Sequence, residues 1–179
     1  MKSNLLKIGA CLLFVATIAA CSSDSDINLT DAATPERANR ASFWDGEIGV
    51  EKTTGELEIT ADKSAIIANF EDILQKEGNP TTLTSLVIVK KPALNDPSNV
   101  GHMLIGADGR NTSIGVMLIR DGSGSLKLDK LSSEVIKTTS CRGCASGCNL
   151  EYLYVNGKKV AICNENGCIS DCTKTETEF

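Results

Sequence analysis

Six of the chain's eight cysteines fall between Cys141 and Cys172, spaced C-x2-C-x3-C, then fourteen residues, then C-x4-C-x3-C. Cysteine sulfur at this density supports three chemistries. The first is cross-linking, in which Cys141, Cys144, Cys148, Cys163, Cys168 and Cys172 form three disulfides. An even count among small polar residues is the pattern of a disulfide framework. The second is a metal or iron–sulfur site, for which C-x2-C is a good clasp. Two clusters joined by a hairpin are similar in outline to a zinc ribbon, but the second half is C-x4-C, and six thiolates exceed the four of one tetrahedral site. The third is thiol–disulfide exchange by Cys141-Arg142-Gly143-Cys144, a C-x-x-C pair in which Arg142 would lower a thiol pKa. That motif normally sits in a βαβ context, which the surrounding pattern lacks. The expectation is three structural disulfides and no metal or other cofactor, with Cys141 and Cys144 as the alternative catalytic pair.

The stretch that must position these sulfurs is Leu150–Ile162, LEYLYVNGKKVAI. Asn156-Gly157 is a strong type I′ hairpin signal, because that turn needs positive φ at both central residues. The resulting register sets Val155 opposite Lys158, Tyr154 opposite Lys159 and Leu150 opposite Cys163. Both cysteine clusters then reach the same end of one ribbon. The register points to a Cys148–Cys163 bridge. The echo between Gly143–Cys148 (G-C-A-S-G-C) and Gly167–Cys172 (G-C-I-S-D-C) points to Cys144 with Cys168. The count alone leaves the connectivity open. A two-stranded ribbon is marginal in water, so this one needs a staple or a partner sheet.

Upstream, the periodicity predicts an α+β domain over residues 43–140. Phe43-Trp44 opens the apolar pattern, with Trp44 read as a core or lid residue. Glu47–Thr60 alternates about Thr53-Thr54-Gly55 as a hairpin or a strand leading into a helix. Ile66, Ile67, Phe70, Ile73 and Leu74 form one apolar helical stripe, started by Asp62 or Thr60 and ended by Gly78-Asn79-Pro80. The period then changes to two. Leu83–Lys90, Val100–Ala107, Thr112–Arg120 and the run of Leu126, Leu128 and Leu131 read as strands. A loop is expected from Lys91-Pro92 to Asn99, and turns at Asp108-Gly109 and Asp121–Gly124. One helix followed by antiparallel strands predicts a sheet covered by that helix. The Cys-rich β-ribbon, 141–179, closes the chain.

The first twenty residues read as a targeting segment. Lys2 and Lys7 make a positive start, Ile8 to Ala20 is uncharged and apolar, and Ile18-Ala19-Ala20-Cys21 follows. The segment resembles the signal peptide and lipobox of bacterial lipoproteins. That resemblance implies removal of residues 1–20 and lipidation of Cys21. It also implies a cell-envelope location outside the cytoplasm, with Ser22 compatible with the outer membrane. Export in an unfolded state would also disfavour a preloaded metal cluster. Residues 21–42, poor in large apolar groups, read as a flexible tether.

The remaining inventory of catalytic parts is short. His102, the single histidine, falls in a strand, and alone it reads as a strand residue rather than a base. Glu47, Glu51, Glu56 and Glu58 read as solvated strand faces. No phosphate loop, dinucleotide fingerprint or nucleophile motif is present. The net charge is −5, or −7 once Lys2 and Lys7 are removed with the leader. This acidic balance argues against nucleic acid as a partner. The expected role is a binding or structural module with no catalytic machinery evident. It would be held to the membrane by its N-terminal lipid and meet a protein or small ligand.

Overall fold

A single cap and a single turn chemistry set the two clearest elements. The computed structural model describes residues 44–130, 136–144, 148–165, 168 and 172–178. The segments expected as leader and tether, with Cys21, and Leu131 lie outside them. Helix α1 spans Lys63–Lys76, with Asp62 accepting hydrogen bonds from the backbone N–H of Ser64 and Ala65. It ends where Gly78 adopts φ 78°. Ile66, Phe70, Ile73 and Leu74 are buried along one stripe. Among the described residues, no helix is long and apolar enough to cross a membrane.

Ten strands follow or precede this helix among the described residues. They are β1 (Gly49–Glu51), β2 (Leu57–Ile59), β3 (Ser85–Ala93), β4 (Asp96–Ala107), β5 (Thr112–Arg120), β6 (Ser125–Leu128), β7 (Lys137–Arg142), β8 (Asn149–Val155), β9 (Lys158–Asn164) and β10 (Thr173–Glu178). All pairings are antiparallel, and β3, β4 and β5 form a meander. One edge of β5 is shared. Its first half, Thr112–Gly115, pairs with β7, and its last residues, Leu118–Arg120, pair with β6. From β6 the sheet continues to β1 and β2, and β2 packs beside β3.

The sheet is therefore barrel-like, which only partly matches a sheet covered by a helix. Its curvature brings β1 against β3 at Gly49, where a Cβ would collide with the Glu58 carbonyl and the Ile88 side chain. The inner face, with α1, forms the main core of Ile48, Ile66, Phe70, Leu74, Leu104 and Leu118. Trp44 belongs to this core. Its ring lies 5.7 Å from that of Phe70, and its indole N–H donates to the Asn69 amide oxygen.

The loop expected from Lys91-Pro92 to Asn99 is corrected to a strand–turn–strand, because β3 runs to Ala93 and β4 starts at Asp96, with only Leu94-Asn95 as the turn. Pro92 is accommodated at the point where the register shifts between Pro92 and Ala93, a bulge that does not require its missing N–H. The expected boundary between residues 140 and 141 falls inside β7, which places Cys141 in the main sheet. The polar sequence of β10, TKTETE, pairs with β7 along its whole length.

Candidate functional site: the stapled ribbon and the buried Glu51

The β8–β9 ribbon forms in the register set by Asn156-Gly157. Val155 faces Lys158, Tyr154 faces Lys159 and Leu150 faces Cys163, with φ of 52° at Asn156 and 79° at Gly157. It lies on the outer face of the meander, where a second core gathers Ala93, Met103, Cys141, Cys148, Leu150 and Tyr152.

Tyr152 is fully buried, and its hydroxyl lies 2.6 Å from the Asn99 carbonyl and 3.1 Å from that of Lys91. The ring occupies the space above Gly101, where a Cβ would approach within 2.9 Å of it. Lys91 donates to the Leu150 carbonyl and pairs with Glu151 at 3.0 Å. Asn95 acts as a surrogate strand. Its amide N–H donates to the Tyr154 carbonyl and its amide oxygen accepts from the Tyr154 N–H, both at 2.8 Å.

Three disulfides complete the attachment: Cys141–Cys163, Cys144–Cys168 and Cys148–Cys172. The Cys144–Cys168 pairing follows the G-C-x-S-x-C echo, and the last cysteines of the two echoes, Cys148 and Cys172, also pair. The expected Cys148–Cys163 bridge is not formed. Hairpin register places these residues near each other, but docking the ribbon on the sheet brings Cys163 to Cys141 of β7. Cys141 and Cys144 are likewise not bonded to each other, so the C-x-x-C spacing does not define a redox pair here. The sulfurs of Cys148, Cys163 and Cys172 lie within 4.8 Å of one another. In cystine form they have no thiolate charge to offer a cation.

A second cluster lies on the inner face, across four strands, with Glu51 and Arg120 at the ends of β1 and β5 and Lys90 and His102 inside β3 and β4. Glu51, with a side chain 7 % exposed, accepts from Lys90 of β3 at 2.5 Å, Arg120 of β5 at 2.8 Å and His102 of β4 at 3.1 Å. The hydrogen bond from Lys90 is the main cause holding the Glu51 carboxyl below its ordinary range. The charges of His102, Lys90 and Arg120 add to it and outweigh burial. Burial is the main cause lowering the His102 pKa, against the pull of Glu51.

The expectation of Glu51 as a solvated strand residue is therefore overturned. The signal missed in the sequence is long-range, because Glu51, Lys90, His102 and Arg120 are brought together only by strand pairing. Each oxygen of the carboxylate has a strong donor, so its chemistry is that of a clasp between β1, β3, β4 and β5.

Where β5 passes from β7 to β6, a cleft of about 210 Å³ is lined by Val116, Met117, Ile136, Lys137, Lys159 and Val160, among others. It is smaller than the roughly 300–1,000 Å³ usual for ligand sites. Lys137 at its rim already pairs with Glu176 and Glu178. No protein-family model matches the chain, and no curated protein and no solved structure matches it.

Proposed function

We propose that this chain is a lipid-anchored cell-envelope interaction module, acylated at Cys21 and presenting the β8–β9 ribbon to a protein or small ligand. The observation that carries the reading is the set of three disulfides between Cys141 and Cys172. Structural cystines persist in oxidising compartments outside the cytoplasm. This agrees with a leader that ends Ile18-Ala19-Ala20-Cys21. Acyl chains contribute about 0.8 kcal/mol per buried CH₂, and more than one chain gives stable attachment. A ribbon pinned by cystines and by Tyr152 loses little freedom when a partner binds, which favours recognition.

The test is metabolic labelling of the full chain with a radioactive fatty acid in a Gram-negative host, followed by detergent-phase partition. Wild type should incorporate label and enter the detergent phase, and Cys21→Ser should do neither. Unlabelled wild type that stays in the aqueous phase would sink the reading.

A further inference from the structure

We propose that Cys148–Cys172 and Cys141–Cys163 form a thiol–disulfide exchange site whose co-substrate is a dithiol reductant and whose product is a Cys148–Cys163 bridge. Two disulfides sit side by side here, because the sulfurs of Cys148, Cys163 and Cys172 are mutually within 4.8 Å. Exchange requires a thiolate to reach a neighbouring disulfide sulfur, and a rotamer change spans the remaining gap. Access is graded. Cys141 is fully buried and Cys148 is 7 % exposed, while Cys163 and Cys172 are half-buried. An external thiolate therefore enters at Cys172.

One thiolate of the dithiol attacks the Cys172 sulfur, forming a mixed disulfide and releasing the Cys148 thiolate. Cys148 then attacks the Cys163 sulfur, forming Cys148–Cys163 and expelling the Cys141 thiolate. The second thiol of the reductant attacks its own mixed disulfide and releases Cys172. The dithiol leaves as a disulfide, oxidised by two electrons. Its two protons reside on Cys141 and Cys172.

The product differs mechanically from the starting state. Cys141–Cys163 ties β7 of the sheet to β9 of the ribbon, whereas Cys148–Cys163 joins the two ends of the ribbon to each other. Leu150 faces Cys163 in the ribbon, so Cys148, two residues earlier, is its diagonal neighbour, and the sulfurs within 4.8 Å of one another set the reach of the new bridge. Exchange thus replaces a sheet-to-ribbon tie with one internal to the ribbon. The inference rests on the sulfur positions and is independent of lipidation at Cys21.

The variant Cys172→Ser, exported in the full chain to an oxidising compartment, leaves Cys148 without its partner beside Cys141–Cys163. Free thiols are alkylated, and the denatured protein is cut with trypsin without reductant. Cleavage after Lys137 and Arg142 isolates Cys141 on the peptide 138–142. Exchange predicts that this peptide is released with one alkyl group. A peptide 138–142 that stays disulfide-linked, with the alkyl group on Cys148, overturns the proposal. The double variant Cys148→Ser/Cys172→Ser is the control, and its peptide should stay linked.

Should Cys172→Ser fail to fold, wild type decides the matter. It is exposed to limiting dithiothreitol, quenched and alkylated, and molecules carrying two alkyl groups, one of them on Cys172, are analysed. The second group is expected on Cys141. Finding it on Cys148 overturns the proposal.

Discussion

The inner face of the barrel-like sheet and its outer face under the ribbon are both buried, but they are held by different physics. The inner core packs α1 against strands from around the sheet, with Ile48, Ile66, Phe70, Leu104, Leu118 and Leu126 fully buried. Hydrophobic burial is its main support, with the Glu51 clasp at its edge. The outer core has few large apolar side chains, chiefly Met103, Leu150 and Tyr152, and two of its buried residues are bridged cysteines. Where apolar area is scarce, constraint of the unfolded chain replaces it. One chain thus uses a core on one face of a sheet and cross-links on the other.

The largest expected effect comes from removing the cross-links. Each bridge closes a sequence separation of 22 or 24 residues, equivalent to about 3 kcal/mol on the entropic account. The loops overlap, so three contribute less than three times that amount. Full reduction should raise amide exchange in β8 and β9 while β4 and β5 keep their protection. Equal loss in both regions would show that the two faces unfold as one unit.

Phe70→Ala strikes the other side of the comparison. It empties the centre of the inner core and should cost about 3–5 kcal/mol, read from the urea midpoint. The cost should be the same in oxidised and reduced protein, because α1 and the cystines act on different faces. A cost that depends on the redox state would couple the two faces.

Glu51→Gln should cost roughly 3 kcal/mol, since it leaves Lys90, Arg120 and His102 without their shared carboxylate. The value lies at the low end for a broken buried pair because Lys90 and Arg120 reach solvent. The pH dependence follows from the two shifts. Glu51 titrates below its ordinary 4.5, so its contribution is complete above that pH and is lost as pH falls toward the folded value. His102 titrates below its ordinary 6.5, so the unfolded chain takes up that proton first and stability falls once pH drops below about 6.5. Urea midpoints across this range should fall less steeply below pH 4.5 in Glu51→Gln than in wild type.

Tyr152→Phe is the smallest and most local change. It removes the hydroxyl at the Asn99 and Lys91 carbonyls and keeps the ring over Gly101. The expected cost is about 1–2 kcal/mol. Faster exchange confined to β8 and the β3–β4 tip is the signature to measure. A change in the protection of α1 would contradict the separation of the two faces.

The locally coded features were legible in the sequence. Asn156-Gly157 fixed the ribbon's register, Asp62 or Thr60 and Gly78 bounded the helix, with the structure choosing Asp62, and Thr112–Arg120 read as a strand with its observed ends. Features that depend on distant segments were not legible. The alternation of Lys137–Arg142 is too polar to stand out as a strand until β5 and β10 lie on either side of it. Pro92 suggested a loop because sequence alone does not reveal a bulge. Glu51 resembled its solvated neighbours because its three partners lie on other strands.

The cysteines divide along the same line. By itself the sequence determined that two clusters meet at one end of a hairpin, because a type I′ turn and a period of two act over a few residues. It also carried the echo that pairs Cys144 with Cys168. Only the tertiary structure decided that Cys163 bonds Cys141 rather than Cys148. Both sulfurs lie near Cys163, and docking Tyr152 over Gly101 lays β9 against β7 and selects between them.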